Sequence, residues 1–183
     1  ALNPHTNPIE RGGAENDDIY FQGREAQNKH IDAVVEIAAD YMKKISEVTG
    51  REYAPFTYYG DPNADRVIIA MGSVTETIKA TIDEMAKSGK KVGLVKVHLY
   101  RPFSAKYLLK VLPASAKKIA VLDRTKEPGS AGEPLYLDVC SAFYGKENAP
   151  KIVGGRYGLA SKDVTPSDIK AIFDNLKKDD SKN

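Results

Sequence analysis

A chain of 183 residues, 42% apolar and 28% charged, suits one layered globular domain with room for an extension. With 27 basic residues against 25 acidic ones the net charge is +2, and lysine and arginine are spread along the chain, which speaks against nucleic-acid binding. The one cysteine, Cys140, excludes an internal disulfide, an iron–sulfur cluster and a cysteine-based zinc site, and no apolar run is long enough to span a bilayer.

Residues 1–30 read as an extended arm or interdomain linker. Asn-Pro and Gly-Gly turn signals interrupt it, no periodicity runs through residues 1–28, and Ile9, Ile19, Tyr20 and Phe21 call for a surface to pack on. A helix and connector follow over 31–64. Apolar residues at 31, 34, 35, 38, 41, 42, 45 and 48 have helical spacing, Gly50 stands where a C-terminal cap belongs, and YAPFTYYGDPN reads as a connector.

From Asp65 the pattern changes. RVIIAMGS, KVGLVKVHLYRPF, KKIAVLDR and KIVGGRYG are short β-branched runs, and a helical pattern fills each gap between them. The first helix shows a capping box, Ser73 with Glu76, and ends before Gly89; the second is capped by Ser104 and stopped by Pro113. Pro134 opens the third, with Leu135, Val139, Ala142 and Phe143 on one face. Thr165 caps the last, whose inward residues are Ile169, Ile172, Phe173 and Leu176. Nearly unbroken apolar strands joined by helical crossovers predict an α/β fold over 65–177, a doubly wound, mostly parallel sheet covered on both faces. The tail, 178–183, reads as frayed.

In such sheets, ligands and partners gather beyond the carboxyl ends of the strands. MGSVTE (71–76) could cradle a phosphate, yet it lacks both glycine-rich phosphate motifs, and Ser73 is explained as a cap. GGRYG offers paired glycines and Arg156 for an anion, or simply a backbone bend. DRTKEPG (123–129) sets Asp123, Arg124, Lys126 and Glu127 within five residues; neighbouring opposite charges point to ion pairs at an interface rather than to acid–base chemistry. His5, His30 and His98 are scattered without metal-ligand spacing. The residue patterns therefore define an α/β module with a charged loop face and no self-contained active site.

The segments IYFQGREA (19–26), RVIIAMGS (66–73), LYRPFSA (99–105), AVLDRTKEPG (120–129), PLYLDVCSAF (134–143) and GRYGLASKD (155–163) closely resemble pyruvate:ferredoxin (flavodoxin) oxidoreductase. The likeness is to its second domain, which is similar to the C-terminal domain of transketolases and Rossmann-like in its three layers. The resemblance implies a multidomain parent, homodimeric, that decarboxylates pyruvate on thiamine diphosphate with Mg2+. It passes electrons through 4Fe-4S clusters to ferredoxin or flavodoxin, and transfers acetyl to coenzyme A. It further implies a cytoplasmic setting, or an anaerobic organelle in a protist. His98 departs from the arginine usual at that place in the family. No catalytic, cofactor-binding or metal-binding residue of the family maps onto this segment, which is expected to be inactive alone. Its partners are then the other domains of the parent, with no nucleic acid and no membrane. Arg101, Asp123, Arg124, Lys126, Glu127 and Arg156 are the residues expected to meet those domains. Two other readings stay open: a nucleotide- or coenzyme A-binding module at the MGS and GGRYG loops, and a docking surface for an electron-transfer protein.

Overall fold

The computed structural model describes residues 3–9 and 12–181. The chain packs as two units, residues 1–34 and 35–183, each taken by itself.

In the first unit, residues expected to be extended are helical. Helix α1 (Asp17–Ala26) begins with Asp17 and Asp18 in its first turn and has Arg24 in its last, so both ends suit the helix dipole. Helix α2 (Asn28–Thr49) spans the unit boundary and starts three residues before the expected point. It stops at Gly50, whose φ of +68° turns the chain while its amide donates to the Ser46 carbonyl at 2.9 Å.

The aromatic connector holds a strand. β1 (Phe56–Gly60) runs antiparallel to β3 (Val92–Val97), with Phe56 opposite Val97 and Gly60 opposite Gly93. The reason is its alternation: Phe56 and Tyr58 pack into one core layer while Tyr59 meets the other. Gly93 is required there, because a Cβ at that position would collide with the Tyr58 ring.

The remaining strands, β2 (Arg66–Met71), β3, β4 (Lys118–Asp123) and β5 (Lys151–Arg156), are parallel, giving the sheet order β1-β3-β2-β4-β5. The fold is thus the doubly wound, mostly parallel α/β class expected, with one antiparallel edge. Period-2 alternation feeds both faces. Ile68, Ala70, Leu94, Ala120 and Leu122 meet α3 (Val74–Lys87) and α6 (Pro166–Asn175) through Ile78, Ile82, Ile169 and Phe173. Val67, Ile69, Val95, Ile119 and Val121 meet α4 (Ala105–Val111) and α5 (Pro134–Phe143) through Leu108, Leu135 and Val139. Each buried valine, leucine, isoleucine or phenylalanine among these contributes roughly 1.5–3 kcal/mol.

Two of the three predicted N-terminal caps form. The Ser104 hydroxyl accepts the Tyr107 amide, and Thr165 makes a reciprocal capping box with Asp168. The third does not: Ser73 has a helical backbone and makes no side-chain cap bond. Gly72, at φ +78°, makes the turn, and Glu76 is drawn away to Lys96 and Lys79. Nor does the tail fray through Ser181, which is buried. Lys118 donates to the Lys178 carbonyl and Lys151 to that of Asp179, each at 2.7 Å. Residues 182–183 lie outside the described residues.

Candidate functional site

Four parallel strands deliver four loops to one edge of the sheet. The chain passes from β2 outward to β3, then crosses back beyond β2 to β4, so the switch point lies between β2 and β4. There the protein uses its own side chain. Tyr157, just past β5, donates its amide to the Asp123 carbonyl at 3.1 Å and its hydroxyl to the Met71 carbonyl at 3.2 Å. The phenol therefore reaches across the end of β4 to β2, and burial raises its pKa.

The acidic residues of the rim are turned inward. Asp123 is 3% exposed, and its carboxylate accepts the amides of Leu135 at 2.9 Å and Tyr136 at 3.1 Å, the first turn of α5. Glu133, at the formal N-cap of α5, makes no cap bond, so a residue far upstream does that work. Burial raises the Asp123 pKa; the two amides partly offset this, while Glu133 and Asp138 add to it.

Glu133 is the hub of the knot. Its buried carboxylate lies 3.1 Å from Arg156 Nη1 and 3.7 Å from Lys126 Nζ, and accepts the Glu127 amide at 3.4 Å. Burial pushes its pKa up, but the amide, Arg156 and Lys126 together outweigh burial and hold it below the ordinary value.

Arg124 is committed elsewhere. Its Nε donates to the Gly158 carbonyl at 3.1 Å and its Nη2 to Ser161 Oγ at 3.4 Å. That loop carries Ala160 at φ 50° and Ser161 at φ 61°, left-handed conformations that cost roughly 1–2 kcal/mol per residue without glycine. Arg124 ties down this strained segment. Arg101 stacks 3.9 Å from the centre of the Tyr100 ring and stands 2.7 Å from Asp138 Oδ2. That last approach is an ion pair off the hydrogen-bonding angle, and Oδ2 has no hydrogen-bond partner.

The structure thus brings Lys126 and Arg156 together on Glu133, sends Arg124 to the 158–161 loop, and places Arg101 on α5. Glu127 accepts from the Thr125 hydroxyl at 3.3 Å. The expected pairing of neighbours inside DRTKE gives way to longer-range partners on α5 and after β5. Glu133, Asp138 and Tyr157 escaped sequence reasoning; the one available signal was an acidic residue directly before Pro134, which reads as a local cap. His98 Nε2 lies 3.1 Å from Thr57 Oγ1, its pKa lowered by burial and by Lys96. A depression of about 710 Å³ lies away from this rim, lined by Tyr58, Asp61, Asp83 and Lys90. Among the described residues, no group of three or more His, Cys, Asp or Glu could hold a metal ion, and no helix is long and apolar enough to cross a membrane.

The site is thus a strand-end rim of a doubly wound α/β domain at which Asp123, Glu133 and Arg124 fasten the domain's own loops. The chain belongs to the family of pyruvate:ferredoxin oxidoreductase core domain II, which it matches over residues 64–169. It is 60% identical over 176 residues to a pyruvate-flavodoxin oxidoreductase of Enterobacter agglomerans, covering 96% of this chain and 15% of the relative. To the pyruvate:ferredoxin oxidoreductase of Moorella thermoacetica it is 54% identical over 183 residues, covering 100% of this chain and 16% of the relative. Among solved structures, a 2-oxoglutarate:ferredoxin oxidoreductase from Magnetococcus marinus, with 2-oxoglutarate, coenzyme A and succinyl-CoA bound, superposes with a TM-score of 0.48 at 17% identity. That match covers 74% of this chain and 22% of the other. The chain therefore spans about one-sixth of the length of the curated relatives it matches.

Proposed function

We propose that this chain is a packing domain of a longer pyruvate:ferredoxin (flavodoxin) oxidoreductase, catalytically inactive alone. The parent would oxidise pyruvate with thiamine diphosphate and coenzyme A and hand electrons to ferredoxin or flavodoxin. The observation that carries this reading is the commitment of the rim: Asp123 caps α5, Glu133 neutralises Arg156 and Lys126, and Arg124 holds the 158–161 loop. A catalytic acid or base needs a free proton-accepting atom facing substrate, and these are already engaged. The iron–sulfur cluster and Mg2+ of the proposed parent do not fit the donor set here. One cysteine falls short of the four thiolates of a 4Fe-4S cluster, and the described residues gather no acidic cluster for Mg2+.

What the rim offers outward is the half-exposed flank of Arg101, Lys126 and Arg156, each anchored from behind by an acid. Such pre-positioned cations fix orientation against an acidic neighbour better than they add affinity. The test is calorimetry of the 183-residue chain with thiamine diphosphate, coenzyme A and nucleotides, beside a pyruvate turnover assay. Silence in both is expected; micromolar binding or turnover overturns the proposal.

A further inference from the structure

Within residues 35–49 helix α2 carries two adjacent stripes, and the unit formed by residues 35–183 covers only one. Within residues 35–49, Val35, Ala39, Met42 and Ser46 are half-buried, and the helix is fastened there by Glu36, which pairs with Lys106 at 2.8 Å and accepts the Tyr107 hydroxyl. The Ser46 hydroxyl, accepting the Tyr53 amide at 2.8 Å, pins the other end. Beside this seat, at helical spacing, stand Ile37, Tyr41, Ile45 and Val48, exposed by 54%, 61%, 48% and 88%. One side chain of this size in solvent is unremarkable, but four in line on one helix mark a contact surface. Lys44 lies over the Tyr41 ring at 4.9 Å and begins the polar border that continues through Asp40 and Glu47.

We infer that this stripe seats an apolar helix face belonging to the remainder of the proposed oxidoreductase. Size selects that occupant over a second copy. Four residues of one helix fall far short of the roughly 20–30 residues per side that hold separate molecules together. A segment of the same polypeptide needs no such area, because the connection itself supplies an effective concentration of about millimolar. The relatives matched here have most of their length outside the region this chain spans, which supplies the chain from which such a helix could come. The inference rests on the reading that this chain works within a longer enzyme.

Hydroxyl-radical footprinting of the native side chains tests it, comparing the 183-residue chain with the assembled enzyme from its source. Tyr41 oxidation is expected to fall about fivefold or more on assembly, as the ring leaves solvent for the core of an interface. Equal rates in the two states overturn the inference. So does concentration-dependent dimerisation of the 183-residue chain that Ile45→Lys abolishes, which would assign the stripe to a second copy. A native species of only 20.0 kDa in the source would sink the underlying reading as well. A large native polypeptide with Tyr41 still reactive would sink this inference alone.

Discussion

The carboxylate of Asp123, last residue of β4, accepts the amide of Leu135 in the first turn of α5 at 2.9 Å. A strand end thereby caps the helix that follows it, across a loop that contains the whole charge knot. Asp123→Ala strands the Leu135 and Tyr136 amides in a buried place. Loss of the cap alone costs about 0.5–2 kcal/mol, and an unsatisfied buried donor costs roughly 1–3 kcal/mol. A lower urea midpoint, with faster hydrogen exchange at Leu135 and Tyr136, is the expected result. An unchanged midpoint would show that α5 needs no help from β4.

Glu133 makes a pH-dependent contribution whose sign is fixed by its partners. Its pKa in the folded chain lies below the ordinary 4.5, so the folded state binds this proton less readily than the unfolded one. The stabilisation is complete above pH 4.5 and fades as pH falls through the depressed native value. Glu133→Gln removes it. The difference in denaturant midpoint between wild type and Glu133→Gln should be constant above that pH and shrink below it. A difference that stays flat into the acid range would disprove the ion-pair role of Arg156 and Lys126.

Most of the sheet was legible because burial on both faces writes itself as unbroken apolar runs. β2 and β4 carry such runs, β3 is interrupted only by Lys96 near its end, and Pro134 and Pro166 mark helix starts by removing an amide that needs no partner. β1 was hidden. Five residues with alternating aromatics form a strand only because β3 offers an edge far along the chain, and local pattern carries no record of that. The Ser73–Glu76 box failed for a related reason: its pattern is local, but Lys96 on β3 competes for the carboxylate from across the fold. At the rim, the residue types of DRTKEPG announced charge pairing, yet the partners, Glu133 and the 158–161 loop, are set by topology. α1 lacked an apolar stripe altogether, and no residue of it is buried.

Tyr157 separates packing from hydrogen bonding at the switch point. Tyr157→Phe keeps the ring against the core layer shared by α3 and α6 and loses only the bond to the Met71 carbonyl, a cost of about 0.5–1.5 kcal/mol. Tyr157→Ala also opens a cavity, and truncating a buried aromatic costs roughly 3–5 kcal/mol, somewhat less here because the ring is only half-buried. Equal losses in the two variants would mean that the ring contributes nothing at this crossing.

Arg124 gives the sharpest distinction between internal tie and outward contact. With Nε on Gly158 and Nη2 on Ser161, Arg124→Ala frees a loop that already stores strain at Ala160 and Ser161. Hydrogen exchange across residues 158–162 should quicken, while amides of β4, held in the sheet core, keep their protection. In Lys126→Ala the same amides should remain as slow as in wild type, because Lys126 points to Glu133 and its outer flank to solvent. If the two variants instead loosened the 158–162 loop equally, Arg124 would have no special hold on it, and its assignment to the inside of the domain would be lost.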